Sequence, residues 1–176
     1  MKIKSTKFIG LKVILSKSFK DNRGLFKEDF KKKFFKNRNF VFGCTSVSKK
    51  NVLRGLHLQT KKKQSKYVSV LKGAILDVAV DLRKNSKTFG KHYKIVLSDE
   101  NAKSIFIPAG FAHGFLGLKK ENIIYYTNTN YRSQKHEIGL LWNDKNLKIH
   151  WPIKKPIISK KDKLNLTFKK YNQIYL

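Results

Sequence analysis

From Tyr67 to Thr127 the chain repeats one pattern: short β-branched or aromatic runs, each closed by a Gly, Pro, Asn or Asp turn. Tyr67–Leu71, Ala74–Leu82, Tyr93–Leu97, Ser104–Ile107 and Ile123–Thr127 all have strand length, and helical periodicity is absent between them. Strands this short and this evenly spaced have to stack as two sheets or close into a barrel to bury their apolar faces. The expected fold is therefore all-β, a jelly-roll barrel or sandwich with a few short helices, formed by residues 1–176 as a single domain.

The remaining segments fit around that centre. Residues 1–20 alternate loosely and read as one strand near an edge. Asp21-Asn22-Arg23-Gly24 is a turn, and Phe30–Phe35 is a short helix or a strand. Phe40–Ser48 reads as a strand, and Lys72-Gly73 as a tight hairpin link between its neighbours. Asp77 and Asp81 alternate with apolar residues, so both point to one face, the inside of the barrel. Tyr125 and Tyr126 are adjacent on a strand, so one faces inward and the other outward.

The formal net charge of +29 comes from 40 basic residues, of which only five are Arg. The lysines are spread over every segment and form no basic stripe with interleaved aromatics, which argues against a nucleic-acid surface. A positive field still draws anionic small molecules. Cys44 is the single cysteine, which excludes an internal disulfide and a multi-Cys metal site. No apolar run reaches membrane-spanning length and no signal peptide is visible, so a cytoplasmic, membrane-free protein is expected.

Two stretches carry chemistry. In Val52–Gln59 an Arg and a His lie three apart across a Gly. On a regular strand Arg54 and His57 would face opposite ways, and they converge only if Gly55 bends or bulges the chain. A fixed cation beside a near-neutral acid/base could hold an anionic substrate and move a proton. An ordinary strand with a structural His is the other reading of these eight residues. The second stretch is Pro108–Phe115, where His113 follows a Pro–Gly turn and Gly114 permits close backbone approach.

Together with Asp77–Arg83, Ser86–Gly90, Trp142-Asn143-Asp144, Trp151-Pro152 and Ser159–Asp162, these stretches resemble the dTDP-4-dehydrorhamnose 3,5-epimerase family, nucleotide-sugar epimerases of the cupin fold. The resemblance covers about Phe19 to Asp162. It implies His57 as general base, Asp162 as its carboxylate partner, Tyr126 as general acid and Lys66 near the keto oxygen. Arg23, Glu28, Arg54, His113 and Glu137 match positions holding the nucleotide diphosphate and sugar. It also implies no cofactor and no metal, a nucleotide-diphosphate sugar as the small-molecule partner, and a homodimer whose N-terminal segment reaches the neighbouring site. Metal-binding cupins usually carry a second His where this chain has Gln59, which favours acid/base chemistry.

One departure stands out. The family's usual Gln-x-Asn reads Phe42-Gly43-Cys44 here, leaving nucleotide and sugar identity open, and Cys44 is expected to be a small buried residue. The alternatives are a single-carbon epimerase or ketoisomerase on another nucleotide sugar, and a metal-binding cupin without epimerase activity. Asp77 is a candidate support for His113 from the barrel interior.

Overall fold

The computed structural model describes residues 1–35 and 37–176, and its strands run as follows in chain order. They are β1 (Lys2–Ser5), β2 (Lys12–Leu15), β3 (Ser18–Asp21), β4 (Gly24–Lys27), β5 (Phe42–Lys49), β6 (Leu53–Gln59) and β7 (Lys66–Lys72). There follow β8 (Ala74–Asp81), β9 (His92–Ser98), β10 (Lys103–Ile107), β11 (Phe111–Gly117), β12 (Glu121–Asn128) and β13 (Glu137–Gly139). Helices are short: α1 (Lys160–Lys163), α2 (Phe168–Tyr175), and 3-10 turns at Lys32–Phe35 and Gln134–His136. No helix among the described residues is long and apolar enough to cross a membrane.

Strands β1-β2-β10-β7-β12-β5 form one sheet and β13-β6-β11-β8-β9 a second, with neighbouring strands antiparallel. Val68, Val70, Ile105, Ile107 and Ile124 of the first sheet pack against Ile75, Ala79, Leu97, Phe111 and Phe115 of the second. This is the jelly-roll sandwich expected of the pattern. The alternation of β8 splits its side chains between two cores. Ile75, Asp77 and Ala79 face the space between the sheets, while Leu76, Val78 and Val80 face outward under Trp142, Trp151 and Tyr171 of the C-terminal segment. Both faces of this strand are covered, which explains why all eight of its residues are buried.

Three expectations need correction. Residues 1–20 give three strands, and β2 lies inside its sheet between β1 and β10. Lys72-Gly73 does not close a hairpin, because β7 and β8 lie in different sheets and the link carries the chain from one to the other. Gly73 takes a positive φ of 82°, and a Cβ there would meet the Glu121 carbonyl at 2.3 Å. Cys44 is exposed, and it faces a cleft rather than the core.

The Asp21–Gly24 turn is present as the tip of the β3–β4 hairpin. Among the described residues that hairpin pairs only with itself, and it exposes Phe19, Leu25 and Phe26. Its root is fastened: Lys27 Nζ is buried, donates to the Val70 carbonyl at 2.7 Å and pairs with Asp29 at 3.0 Å.

Candidate active site

The site begins with a fault in β6. His57 pairs with His113 of β11 and Arg54 pairs with Phe115, so Gly55 and Leu56 together stand opposite Gly114 alone. This is a β-bulge, and the extra residue reverses the alternation so that Arg54 and His57 point the same way. Only glycines fit there. Gly55 has φ of +119°, and a Cβ on it would lie 2.5 Å from the Gly114 Cα. The bend expected at Gly55 is thus a bulge locked by a glycine-on-glycine contact.

Register then fixes what else faces the same space. In the opposite sheet Lys66 pairs with Asn128, Val68 with Tyr126, and Cys44 with Tyr126 from the other side. Residues of one pairing row share a face, so Lys66, Tyr126, Asn128, Phe42, Cys44 and Ser46 all look inward. Between the sheets a cleft of about 520 Å³ opens, the size of a small-ligand site. One wall carries His57, His113 and Arg54, and the other carries Tyr126, Lys66 and Cys44.

Two His–Asp pairs stand side by side on the first wall. His57 Nε2 lies 2.7 Å from Asp162 Oδ1, and His113 Nε2 lies 2.7 Å from Asp77 Oδ2. Asp77 and His113 are buried, while His57 is partly open to the cleft. A carboxylate on Nε2 fixes the tautomer and leaves Nδ1 as the nitrogen available to a ligand. Burial would raise the Asp162 carboxyl, but the hydrogen bond and charge of His57, with the Gly55 N–H and Ser159, hold it below its ordinary value. The expected support of His113 by Asp77 is present.

The opposite wall holds a protonated phenol and a burial-weakened ammonium. Desolvation raises the Tyr126 hydroxyl well above its ordinary value, against a smaller opposing effect of Ser46. Tyr126 packs edge-on to the His113 ring with centroids 6.2 Å apart. Burial lowers the Lys66 ammonium, with Glu137, Cys44 and Asp77 pulling the other way. Arg54 donates from Nε to Ser48 Oγ at 3.0 Å and from Nη2 to the Val47 carbonyl at 3.2 Å, which holds the guanidinium over the rim.

Glu137 lies on the wall but spends its carboxylate on protein. It takes Arg132 Nε at 2.8 Å, Arg132 Nη2 at 3.1 Å and Lys161 Nζ at 2.6 Å. Burial pushes its carboxyl up, and these two cations outweigh that and bring it down to about 2. Arg132 and Lys161 are cleft residues that motif reading missed, since nothing local marks one Lys among so many.

Two expected residues lie elsewhere. Arg23 sits at the hairpin tip, paired with Asp21 at 2.6 Å, and Glu28 pairs with Lys31 at 2.6 Å. Neither lines the cleft that holds His57.

An Arg, two His–Asp pairs, a Tyr and a Lys around one cleft suit proton transfer next to an anion-binding rim. The family model for dTDP-4-dehydrorhamnose 3,5-epimerase matches residues 5–170. The chain belongs to that family. A Methanothermobacter thermautotrophicus dTDP-4-dehydrorhamnose 3,5-epimerase is 42% identical over 97% of this chain and 96% of its own. The crystal structure of the Elizabethkingia anophelis family member superposes with a TM-score of 0.90 at 40% identity, covering 98% of both chains. A Legionella pneumophila dTDP-6-deoxy-D-glucose-3,5-epimerase, solved in complex with dTDP-4-keto-L-rhamnose, gives 0.88 at 39% identity over 93% of this chain and 90% of that one.

Proposed function

We propose that this epimerase converts dTDP-4-keto-6-deoxy-D-glucose to dTDP-4-keto-L-rhamnose without a cofactor, inverting C3 and C5. The observation that carries the reading is the opposition of His57 and Tyr126 across one cleft, each from a different sheet. Epimerisation needs a base on one face of the sugar and an acid on the other, and the two walls supply them. The C3 and C5 hydrogens lie α to the C4 carbonyl, so His57 Nδ1 can remove each in turn. Asp162 stabilises the resulting imidazolium. The electron pair moves onto O4, where Lys66 and His113 meet the developing oxyanion. Tyr126 returns a proton from the opposite face, its raised pKa keeping it protonated for the task. Arg54 takes phosphate oxygens in its planar fork.

The same reading makes the protein a homodimer of single-domain chains. The β3–β4 hairpin carries Arg23 at its tip and three exposed apolar side chains behind it, which suits a segment laid on a second copy. There Arg23 and Glu28 would complete the nucleotide end of the partner's site. The free thiol of Cys44 suits a reducing cytoplasm.

A second reading, inversion at one carbon only, is favoured by Phe42 and Cys44 standing in the cleft wall where the family usually carries a Gln-x-Asn pair. Incubation with dTDP-4-keto-6-deoxyglucose in D₂O, followed by NMR, decides between them. Deuterium at both carbons is expected, deuterium at one selects the second reading, and none at either overturns both.

A further inference from the structure

We propose that Asn128 touches the substrate and sets its orientation, its carboxamide oxygen accepting a hydrogen bond from the C3 hydroxyl of the hexose. The proposal deepens the epimerase reading and rests on it for the placing of O4 against Lys66. Asn128 is 4% exposed, yet it lines the cleft instead of filling the apolar core. A buried amide left unpaired is costly, so such a group is bonded to protein or turned toward a ligand. Here one amide hydrogen makes a long bond to the Phe42 carbonyl at 3.4 Å. A carbonyl only accepts, so this bond identifies the nitrogen and makes the other end of the amide Oδ1. Among the described residues no donor reaches Oδ1.

Register says what the free oxygen faces. Asn128 stands two residues beyond Tyr126 on β12, on the same face and about 7 Å along the strand. It pairs with Lys66 of β7 on one side and with Phe42 of β5 on the other. Directly opposed residues hold their Cβ atoms about 4.5–5.5 Å apart, so the carboxamide lies beside the Lys66 ammonium. Its further neighbour is the Cys44 thiol, which burial pushes up while Lys66, the Asn128 side chain and Arg132 pull it down. Phe42 has no polar side-chain atom, Lys66 only donates, and a thiol is a weak partner. Asn128 Oδ1 is therefore the strong acceptor next to Lys66. With O4 on the ammonium, the nearest substituents of the ring are those on C3 and C5. C5 carries a methyl group and the ring oxygen, and neither can donate. The C3 hydroxyl can, so an acceptor beside Lys66 selects the C3 side of the sugar. That bond fixes rotation of the ring about its O4 contact, and with it which α hydrogen meets His57.

Asn128→Leu keeps the volume and removes both polar ends. Two readouts test the contact: deuterium exchange at C3 and C5 in D₂O, and calorimetric binding of dTDP-6-deoxy-D-glucose, which keeps the C3 hydroxyl but has no keto group to react. The variant should slow exchange at C3 about tenfold and at C5 less, the loss expected of one neutral hydrogen bond. It should also bind dTDP-6-deoxy-D-glucose about tenfold more weakly, with the affinity for dTDP alone unchanged. For the 3-deoxy analogue of that sugar nucleotide, parent and variant should bind alike, because the partner of the amide is already gone. Equal slowing at both carbons, a weakened affinity for dTDP, or a tenfold loss that persists with the 3-deoxy analogue would overturn the proposal. Asn128→Ser withdraws the acceptor with a smaller change in polarity, and the same ratios judge the contact if Asn128→Leu fails to fold. A parent protein that exchanges neither carbon sinks the epimerase reading, and the calorimetry still judges the contact. A parent that also binds none of these nucleotides overturns both.

Discussion

His57 and Tyr126 reach the cleft from different sheets, so changing one leaves the other's support intact and their roles can be separated. His57→Ala should abolish exchange at both carbons, measured by NMR in D₂O, with a loss of at least about 10²-fold. Tyr126→Phe should slow inversion more than proton loss, so deuterium return without change of configuration is the signature to look for. Lys66 gives a pH test. Its ammonium is lowered by burial, so it loses its proton below the pH at which an ordinary lysine does. If its charge holds O4, kcat should fall as pH rises through that lowered value. Lys66→Arg should move this alkaline limb upward, and an unmoved limb would assign it to another group. The gathering of these residues in one cleft was readable beforehand for Arg54, His57 and His113, which lie in two short, distinctive stretches, and for Tyr126 only through the family resemblance. Arg132 and Lys161 were not, because their meaning depends on a carboxylate supplied by a separate strand. Cys44 was misjudged for a related reason: a small thiol on an edge strand looks like core filling until β12 puts it opposite Tyr126.

At the scale of elements, the β6 bulge was legible because three-residue spacing of two polar cleft residues is incompatible with a regular strand. The link at Lys72-Gly73 was not, since a turn sequence says that the chain reverses but not which sheet receives it. The bulge makes a firm prediction. Gly55→Ala would drive a Cβ into the Gly114 backbone at 2.5 Å in a left-handed conformation, so destabilisation of about 1–3 kcal/mol or more is expected by urea unfolding. The β3–β4 hairpin makes another. Replacing Phe19 and Phe26 by Ser leaves the isolated sheets untouched, since both side chains are exposed. Under the proposed exchange it should shift the protein toward monomer in sedimentation and raise KM, while an unchanged dimer would show that the hairpin is not the contact.

For the molecule as a whole, acid stability follows from two carboxylates, Asp81 fully buried and Glu137 mostly so. Glu137 and Asp81 are each held at about 2, against ordinary values of 4.5 and 3.8. Burial of each works the other way and is outweighed, for Asp81 by Arg83, Ser86 and Thr88 and for Glu137 by Arg132 and Lys161. A folded pKa below the unfolded one means that the unfolded chain binds more protons in this range. Their stabilisation is therefore complete above about pH 5 and is lost as pH falls toward 2. Tm should drop across that window, and Glu137→Gln should flatten part of the drop. The net charge of +29 acts over longer distances, and kcat/KM for a dianionic nucleotide sugar should fall with rising ionic strength.

The bulge in β6 also works as a ruler. With one residue removed from the alternation, Arg54 and His57 stand two strand steps apart on one face, about 7 Å along the chain. Under the proposed mechanism, that distance separates the place where phosphate would be gripped from the place where a proton would leave carbon. A sugar joined to its diphosphate by one additional bond would bind the same rim and present the wrong atom to the base.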